Sequence, residues 1–345
     1  MIERSMRGRI RPRVLLLLVL LVVVAAAVFG WRDYQRFSVA PMNVTTQRAS
    51  IDVGRGTSFR GIVAALQRQG FTTANPWYWR LLAEQMQVAG KLHAGEYAME
   101  PGITPRQLLA NMAAGKVLQR NFTIVDGWTF AELRQALAHA EKLKHDSAGL
   151  DDAAIMQKIG AAGEAPEGRF LPETYAYVKG DGDLDILRRA HAAMVKTLAA
   201  LWPGRDQDLP LATPYEALIL ASIVEKETGR ADERAEIAGV FVRRLQDHML
   251  LQTDPSVIYG MGSLYTGTIH KSDLTTDTPY NTYTRPGLPP TPIALPGKPA
   301  IEAALHPAPG DALYCVARGD GTHAFSSSLP EHNRNVDCYQ RKHCQ

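Results

Sequence analysis

Pro214–Glu227, PYEALILASIVEKE, is the stretch on which the reading of this chain turns. Thr213 stands where an N-cap belongs, Pro214 suits the first helical position, and Glu216 complements the positive end of the helix dipole. From Ala217 to Val224 almost every residue is apolar, so the spacing predicts a helix buried on all sides. It closes in Glu225, Lys226 and Glu227. A carboxylate at the mouth of such a helix is partly desolvated. That disfavours its charged form and lets it hold a proton near neutral pH, as a general acid must. Glu225 and Glu227 stand about 200° apart on a regular helix, so one cleft cannot take both. Periodicity leaves open which one it takes. A charged helix end facing solvent is the plain alternative for this segment taken alone.

Downstream, residues 213–345 are dense in Pro, Gly and polar motifs, the texture of loops held on a scaffold. Upstream, residues 46–118 read as a small α/β unit. Ser50–Val53 is a short strand, Thr57 or Ser58 can cap a helix carrying Phe59, Ile62, Val63 and Leu66, and Gly70 closes it. A second helix is expected from Asn75 to Ala89 with Trp77, Leu81 and Leu82 on its apolar side. Leu92–Tyr97 is strand-like, and Thr104–Pro105 opens a last helix with Leu108, Leu109 and Met112 inward. This order resembles the LysM-like module found beside cell-wall enzymes; a plain packing domain is the alternative. A further strand runs to Asp126–Gly127, read as a turn, after which Thr129 caps a helix. The fold class expected is α/β (α+β).

At the N-terminus, Val14–Gly30 (VLLLLVLLVVVAAAVFG) carries no charge. As a helix it spans ~25 Å, close to the ~30 Å hydrocarbon core of a bilayer. Phe29 and Trp31 sit where interfacial aromatics sit, and Arg4, Arg7, Arg9, Arg11 and Arg13 precede the run against one acid, Glu3. The positive-inside rule then keeps the N-terminus cytoplasmic and everything after Trp31 on the far side. A cleaved signal with Ala25, Ala26 and Ala27 near the cut is the competing reading. The expected organisation is a tail (1–13), an anchor (14–31), a linker (32–45), the small unit (46–118) and a catalytic domain (119–345).

The 345 residues are 46% hydrophobic and 21% charged, with a net charge of +3 that the tail accounts for. A disordered chain is excluded by that balance, and no basic stripe suits nucleic acid. Cys315, Cys338 and Cys344 lack metal or redox spacing; one disulfide, for example Cys338 to Cys344, would leave one thiol free. His270, His306, His323 and His332 are scattered, Ser222 lies outside a nucleophile elbow, and there is no phosphate loop. Neither a metal nor a cofactor is expected.

Taken together, ASIVEKET, LQTDPSVIYG (Leu251–Gly260), PYNTY (Pro279–Tyr283), GLPPTPI (Gly287–Ile293), Pro296–Gly297, LHPA (Leu305–Ala308), HAFS (His323–Ser326) and His332–Asn333 resemble the endolytic murein transglycosylases, the membrane-bound lytic transglycosylase G (YceG-like) family. The resemblance covers residues 50–340. It implies a LysM-like subdomain and an α/β catalytic domain, with the first Glu of S-x-V-E-x-E, Glu225, as catalytic acid. Glu225 would protonate the bond linking MurNAc to GlcNAc, then take the proton of the MurNAc C6 hydroxyl, which closes onto C1 as a 1,6-anhydro end. No water attacks, so one carboxylate suffices, unlike the pair of a glycoside hydrolase. Gln252, Asn281 and Tyr283 offer groups for sugar hydroxyls and N-acetyl groups, Tyr259 and Tyr280 can stack on sugar faces, Glu227 can orient a neighbour, and Glu173 in FLPETY lies in a segment the family places near the cleft. Each has a plain loop-holding alternative, and Asp254 before Pro255 reads as a cap. The rivals are a water-using muramidase with Asp254, Asp277 or Glu173 as second carboxylate, and a non-catalytic peptidoglycan-binding scaffold. The partners implied are glycan strands, with a single-pass anchor that invites association with wall-synthesis proteins.

Overall fold

A computed structural model describes residues 12–47 and 49–342. The arginine-rich tail before Pro12, and Cys344 with its expected bond to Cys338, lie outside the described residues. Cys338 is disulfide-bonded, and Cys315 is a free thiol. The chain forms two compact units that divide between Gln119 and Arg120. The fold is mixed α/β, and among the described residues every sheet has only two strands.

The first unit opens with α1 (Pro12–Val39), whose apolar stretch is exposed and long enough to cross a membrane. The helix does not stop at Trp31. It runs on to Val39, over the first part of the region expected as a linker, and buries Tyr34 and Ser38, while Met42 beyond it is also buried. Phe37 meets Trp79 edge-on at 5.3 Å, and the Tyr78 hydroxyl donates to Asp33 at 2.8 Å. These aromatic contacts are long-range, which is why local composition did not announce them. Then come β1 (Ala49–Val53), α2 (Phe59–Arg68), α3 (Pro76–Gln85), β2 (Gly95–Met99) and α4 (Pro105–Ala113). β1 and β2 pair antiparallel, with Ile51 opposite Tyr97. Ser58 caps α2 and Thr104 forms a capping box with Gln107, as those residue types favour. α3 ends short of Ala89, since Gln87 takes a positive φ of 56°. Its buried face is Trp79, Leu82 and Ala83, an i, i+3, i+4 set, while Trp77 and Leu81 are exposed.

The second unit contains β3 (Gln119–Thr123), α5 (Phe130–Ala138), α6 (Asp152–Ile159), β4 (Thr174–Val178), α7 (Asp183–Leu201), α8 (Pro214–Glu227), α9 (Arg234–Gln246), α10 (Asp254–Met261), α11 (Lys271–Thr275), α12 (Lys298–Leu305), β5 (Tyr314–Ala317), β6 (His323–Ser326) and α13 (Leu329–Tyr339). β3 pairs with β4, and β5 with β6 as an antiparallel hairpin. The core forms around α8. Every residue from Ala217 to Val224 is buried, walled by α12, α9 and α10. A helix apolar on all faces has no stable place except such a centre. The C-terminal carboxylates of α8 are therefore carried to the rim of a rigid core.

Candidate active site

The rim is assembled by backbone ties. The Ser222 hydroxyl, inside α8, donates to the Ile219 carbonyl at 2.7 Å and accepts from the Ile293 N–H at 3.0 Å. That bond fixes the segment 291–297 along the helix, and Gly297 at its end donates its N–H to Glu225 Oε2 at 3.1 Å. A second segment arrives from β3. Gly127 N–H donates to the Leu295 carbonyl at 2.9 Å, Leu295 N–H to the Trp128 carbonyl at 2.6 Å, and Lys226 Nζ to the Gly127 carbonyl at 3.3 Å. Gly127 has a φ of 77°, which favours glycine and lets the turn fold against α8. Asp126 thereby faces the Glu225 end of the helix. A Cβ on Gly297 would collide with the Asp126 carboxylate, so that position also favours glycine.

Glu225 has only 7% of its side chain exposed, and Arg234 Nη2 at the start of α9 stands 3.9 Å from its Oε1. Burial pushes the Glu225 carboxyl up from its ordinary value, and Asp126 adds to the rise; the Gly297 N–H, Arg234 and Lys226 act the other way. Burial likewise raises the Asp126 carboxyl, against Arg234. Burial and a neighbouring acid both favour the neutral form of Glu225, which is the direction a general acid needs.

Glu227 faces different surroundings. It accepts a hydrogen bond from the Thr253 hydroxyl and lines a cavity of about 460 Å³ with Arg244, Gln252, Asp254, Tyr283 and His323. Glu225 is not among the walls of that cavity. Burial raises the Glu227 carboxyl too, with Asp254 adding and Thr253 and His323 opposing. Tyr283 donates to Asp254 at 2.6 Å. Gln252 is exposed, its backbone in the left-handed region at φ 52°.

Other expected sugar-binding side chains are tied into the framework. Asn281 is 1% exposed. Its amide donates to the carbonyls of Asp273, Leu274 and Thr276, and its oxygen accepts from Tyr283 N–H. It holds a loop and offers no free group, a correction to the expected sugar contact. Tyr259 and Tyr280 meet edge-on at 4.8 Å. The Tyr259 hydroxyl donates to Glu167 at 3.0 Å, and the Tyr280 hydroxyl pairs with Thr291 at 2.9 Å. Glu173 is exposed just before β4, where its carbonyl accepts from Ile124. Among the described residues no group of three or more His, Cys, Asp and Glu is placed to hold a metal.

Sequence reasoning passed over Asp126, Arg234, Gly297 and Glu167. Asp126 reads in sequence as part of a turn that ends a strand, and only the fold brings it to Glu225. Arg234 is one of several charges in RADERAE, and only the tertiary fold singles it out. Glu167 is 7% exposed, accepts from Phe130 N–H at 3.0 Å and from Tyr259, and is pushed up to about 7 chiefly by burial.

Comparisons with known proteins agree on one kinship. A Bacillus subtilis protein named endolytic murein transglycosylase is 28% identical over 309 residues, which is 84% of this chain and 84% of that protein. A Streptococcus pneumoniae protein of the same name is 25% identical over 347 aligned positions, covering 90% of this chain and 62% of the longer relative. A crystal structure of a YceG-like protein from Listeria monocytogenes superposes with a TM-score of 0.53 at 27% identity, over 84% of this chain and 99% of that one. The sequence pattern of the YceG-like family matches residues 51–338, most of the chain, and this chain belongs to that family.

Proposed function

We propose that the chain is an endolytic peptidoglycan lytic transglycosylase that cuts the MurNAc–GlcNAc bond within glycan strands, with Glu225 as its acid and base. The observation that carries this reading is the setting of Glu225. It is a nearly buried carboxyl raised by desolvation at the end of a rigid helix, and Glu227 is turned into a separate cavity. In the proposed reaction the Glu225 proton goes to the glycosidic oxygen as the bond to MurNAc C1 breaks. The carboxylate then takes the C6 hydroxyl proton as that oxygen bonds to C1, leaving a 1,6-anhydroMurNAc end. Such cuts in new strands would end their elongation. Gln252, Tyr283 and Glu227, gathered at the cavity, are the groups proposed to hold flanking sugar or peptide.

For residues 46–118 the proposal is a LysM-like module; the order β1, α2, α3, β2, with its two strands paired antiparallel, supports it. The exposed apolar run of α1 supports an uncleaved anchor in the cytoplasmic membrane, the N-terminus cytoplasmic and the catalytic unit periplasmic, within reach of wall-synthesis proteins. One observation favours a second reading. Asp126 beside Glu225 supplies the second carboxylate that a water-using muramidase needs. Digestion of purified peptidoglycan by the full chain in detergent micelles, with mass analysis of the products, separates the two. Internal anhydro ends that vanish in Glu225→Gln are expected; reducing ends, one water heavier, would move the chain to the hydrolases.

A further inference from the structure

Three elements converge on the Glu225 carboxyl. The Asp126–Gly127 turn is fastened to α8 and to segment 291–297 by the bonds of Gly127, Leu295 and Lys226. Gly297 stands between the two carboxylates: its N–H donates to Glu225 Oε2 at 3.1 Å, and its α-carbon packs against the Asp126 carboxylate closely enough to leave no room for a Cβ. Arg234, from α9, acts on both acids. Its Nη2 stops 3.9 Å from Glu225, and its buried Nε has no hydrogen-bond partner. Charge-assisted Arg–carboxylate bonds ordinarily close to about 2.7–2.9 Å, and a guanidinium bonded in that way holds the carboxylate ionised. A general acid in that grip would lose its proton before the reaction began.

We propose that Asp126 is a positioning residue for the Glu225 acid: seated on Gly297, its carboxylate divides the attraction of Arg234 and keeps the guanidinium from closing on Glu225. The inference rests on Glu225 being the proton donor, as proposed above. The charged groups facing Glu225 are Asp126 from the turn, Arg234 from α9 and Lys226 from its own helix. Two of these three are cations that favour the ionised form, and Asp126 is the counterweight.

The test is the rate of anhydro-end formation against pH for the full chain in detergent micelles, as wild type, Asp126→Asn, Arg234→Gln and the double variant. Without the Asp126 charge, Glu225 ionises at lower pH. The alkaline limb should therefore move to lower pH, with a loss of about three- to tenfold at its alkaline end and a smaller loss on the acid side. Arg234→Gln should move the limb the other way, and the double variant should fall between. Gly297→Ala, whose backbone φ of −71° suits any residue, should reproduce the Asp126→Asn shift by displacing the carboxylate. A uniform loss at every pH with the limb unmoved would overturn the proposal, whether it came with a lower melting temperature (a merely structural Asp126) or without one (an Asp126 that itself reacts with substrate). A carbon-NMR titration of the Glu225 carboxyl, assigned by its absence in Glu225→Gln, reads the same effect without catalysis. A lower midpoint in Asp126→Asn supports the inference, and an unmoved midpoint overturns it even if the chain cuts no peptidoglycan, so the failure of this inference and of the proposed activity are told apart.

Discussion

Glu225 and Glu227 are two residues apart on one helix, yet they end in unlike places. Glu225 leans on a backbone N–H and shares an arginine with Asp126, at a rim built from a turn, a strap and the next helix. Glu227 is fastened by the Thr253 hydroxyl and looks into a polar cavity with Asp254, Tyr283 and His323. Helical geometry alone separates them. The difference teaches that one buried helix can serve two tasks at its end. On the proposed reading, one acid keeps its proton for chemistry, and the other organises the residues beside it.

The comparison breaks most visibly at Glu225. Glu225→Gln keeps the shape and the Gly297 bond but has no proton to give, so a loss of about 100- to 10,000-fold in anhydro-end formation is expected in single-turnover assays. Retention of more than a tenth of the rate would show that the acid lies elsewhere. On the other side, Thr253→Val removes the hydroxyl that Glu227 uses and should cost about 2–3 kcal/mol of stability in a denaturant melt. A stability change below about 0.5 kcal/mol would mean that Glu227 is not held as described.

Ser222→Ala probes the strap that carries Gly297 to Glu225. It leaves the buried Ile293 N–H without a partner, at about 1–3 kcal/mol, and should lower the rate as Gly297 loosens. An unchanged melting temperature would show that segment 291–297 is held by other contacts. An effect that shows only as a pH slope concerns Glu167, which is buried away from the Glu225 carboxyl. Its folded value, pushed up to about 7, means that the native state binds more protons than the unfolded chain between its ordinary value and that point. Its contribution to stability is then fullest at acid pH and falls as pH rises toward 7, by up to about 1.4 kcal/mol per pH unit. In Glu167→Gln that part of the slope should vanish; identical slopes in the two proteins would contradict the shift.

How much of this was legible in the sequence depends on whether a feature is local. α8 runs over Pro214–Glu227 with Thr213 as its cap, because capping residues and an unbroken apolar run are local signals. The strands and helices of the first unit follow from Ser58, Thr104 and alternating apolar residues. The buried face of α3 was misjudged because Trp77 and Trp79 are equally apolar, and only packing against Phe37 selects Trp79. The packing of the end of α1 into the core of its unit was missed for a similar reason: Tyr34 and Met42 find their partners far along the chain. At the site, the carboxylates ending α8 were visible from their helix, and the resemblance singled out Glu225 between them. Asp126, Arg234 and Gly297 come from a turn, a charged run and a loop, and no local pattern ties them to it. Asn281 looked like a sugar contact because exposed and buried amides read alike in sequence.

The most direct test of the central claim, that one carboxylate cuts the strand without water, is the product pattern of Glu227→Gln. The full-length variant and the wild type would each digest purified peptidoglycan, and the new internal ends would be sorted by mass into anhydro and reducing. Anhydro ends only are expected from both, with the variant slower. Reducing ends from either protein, or a variant as dead as Glu225→Gln, would contradict it.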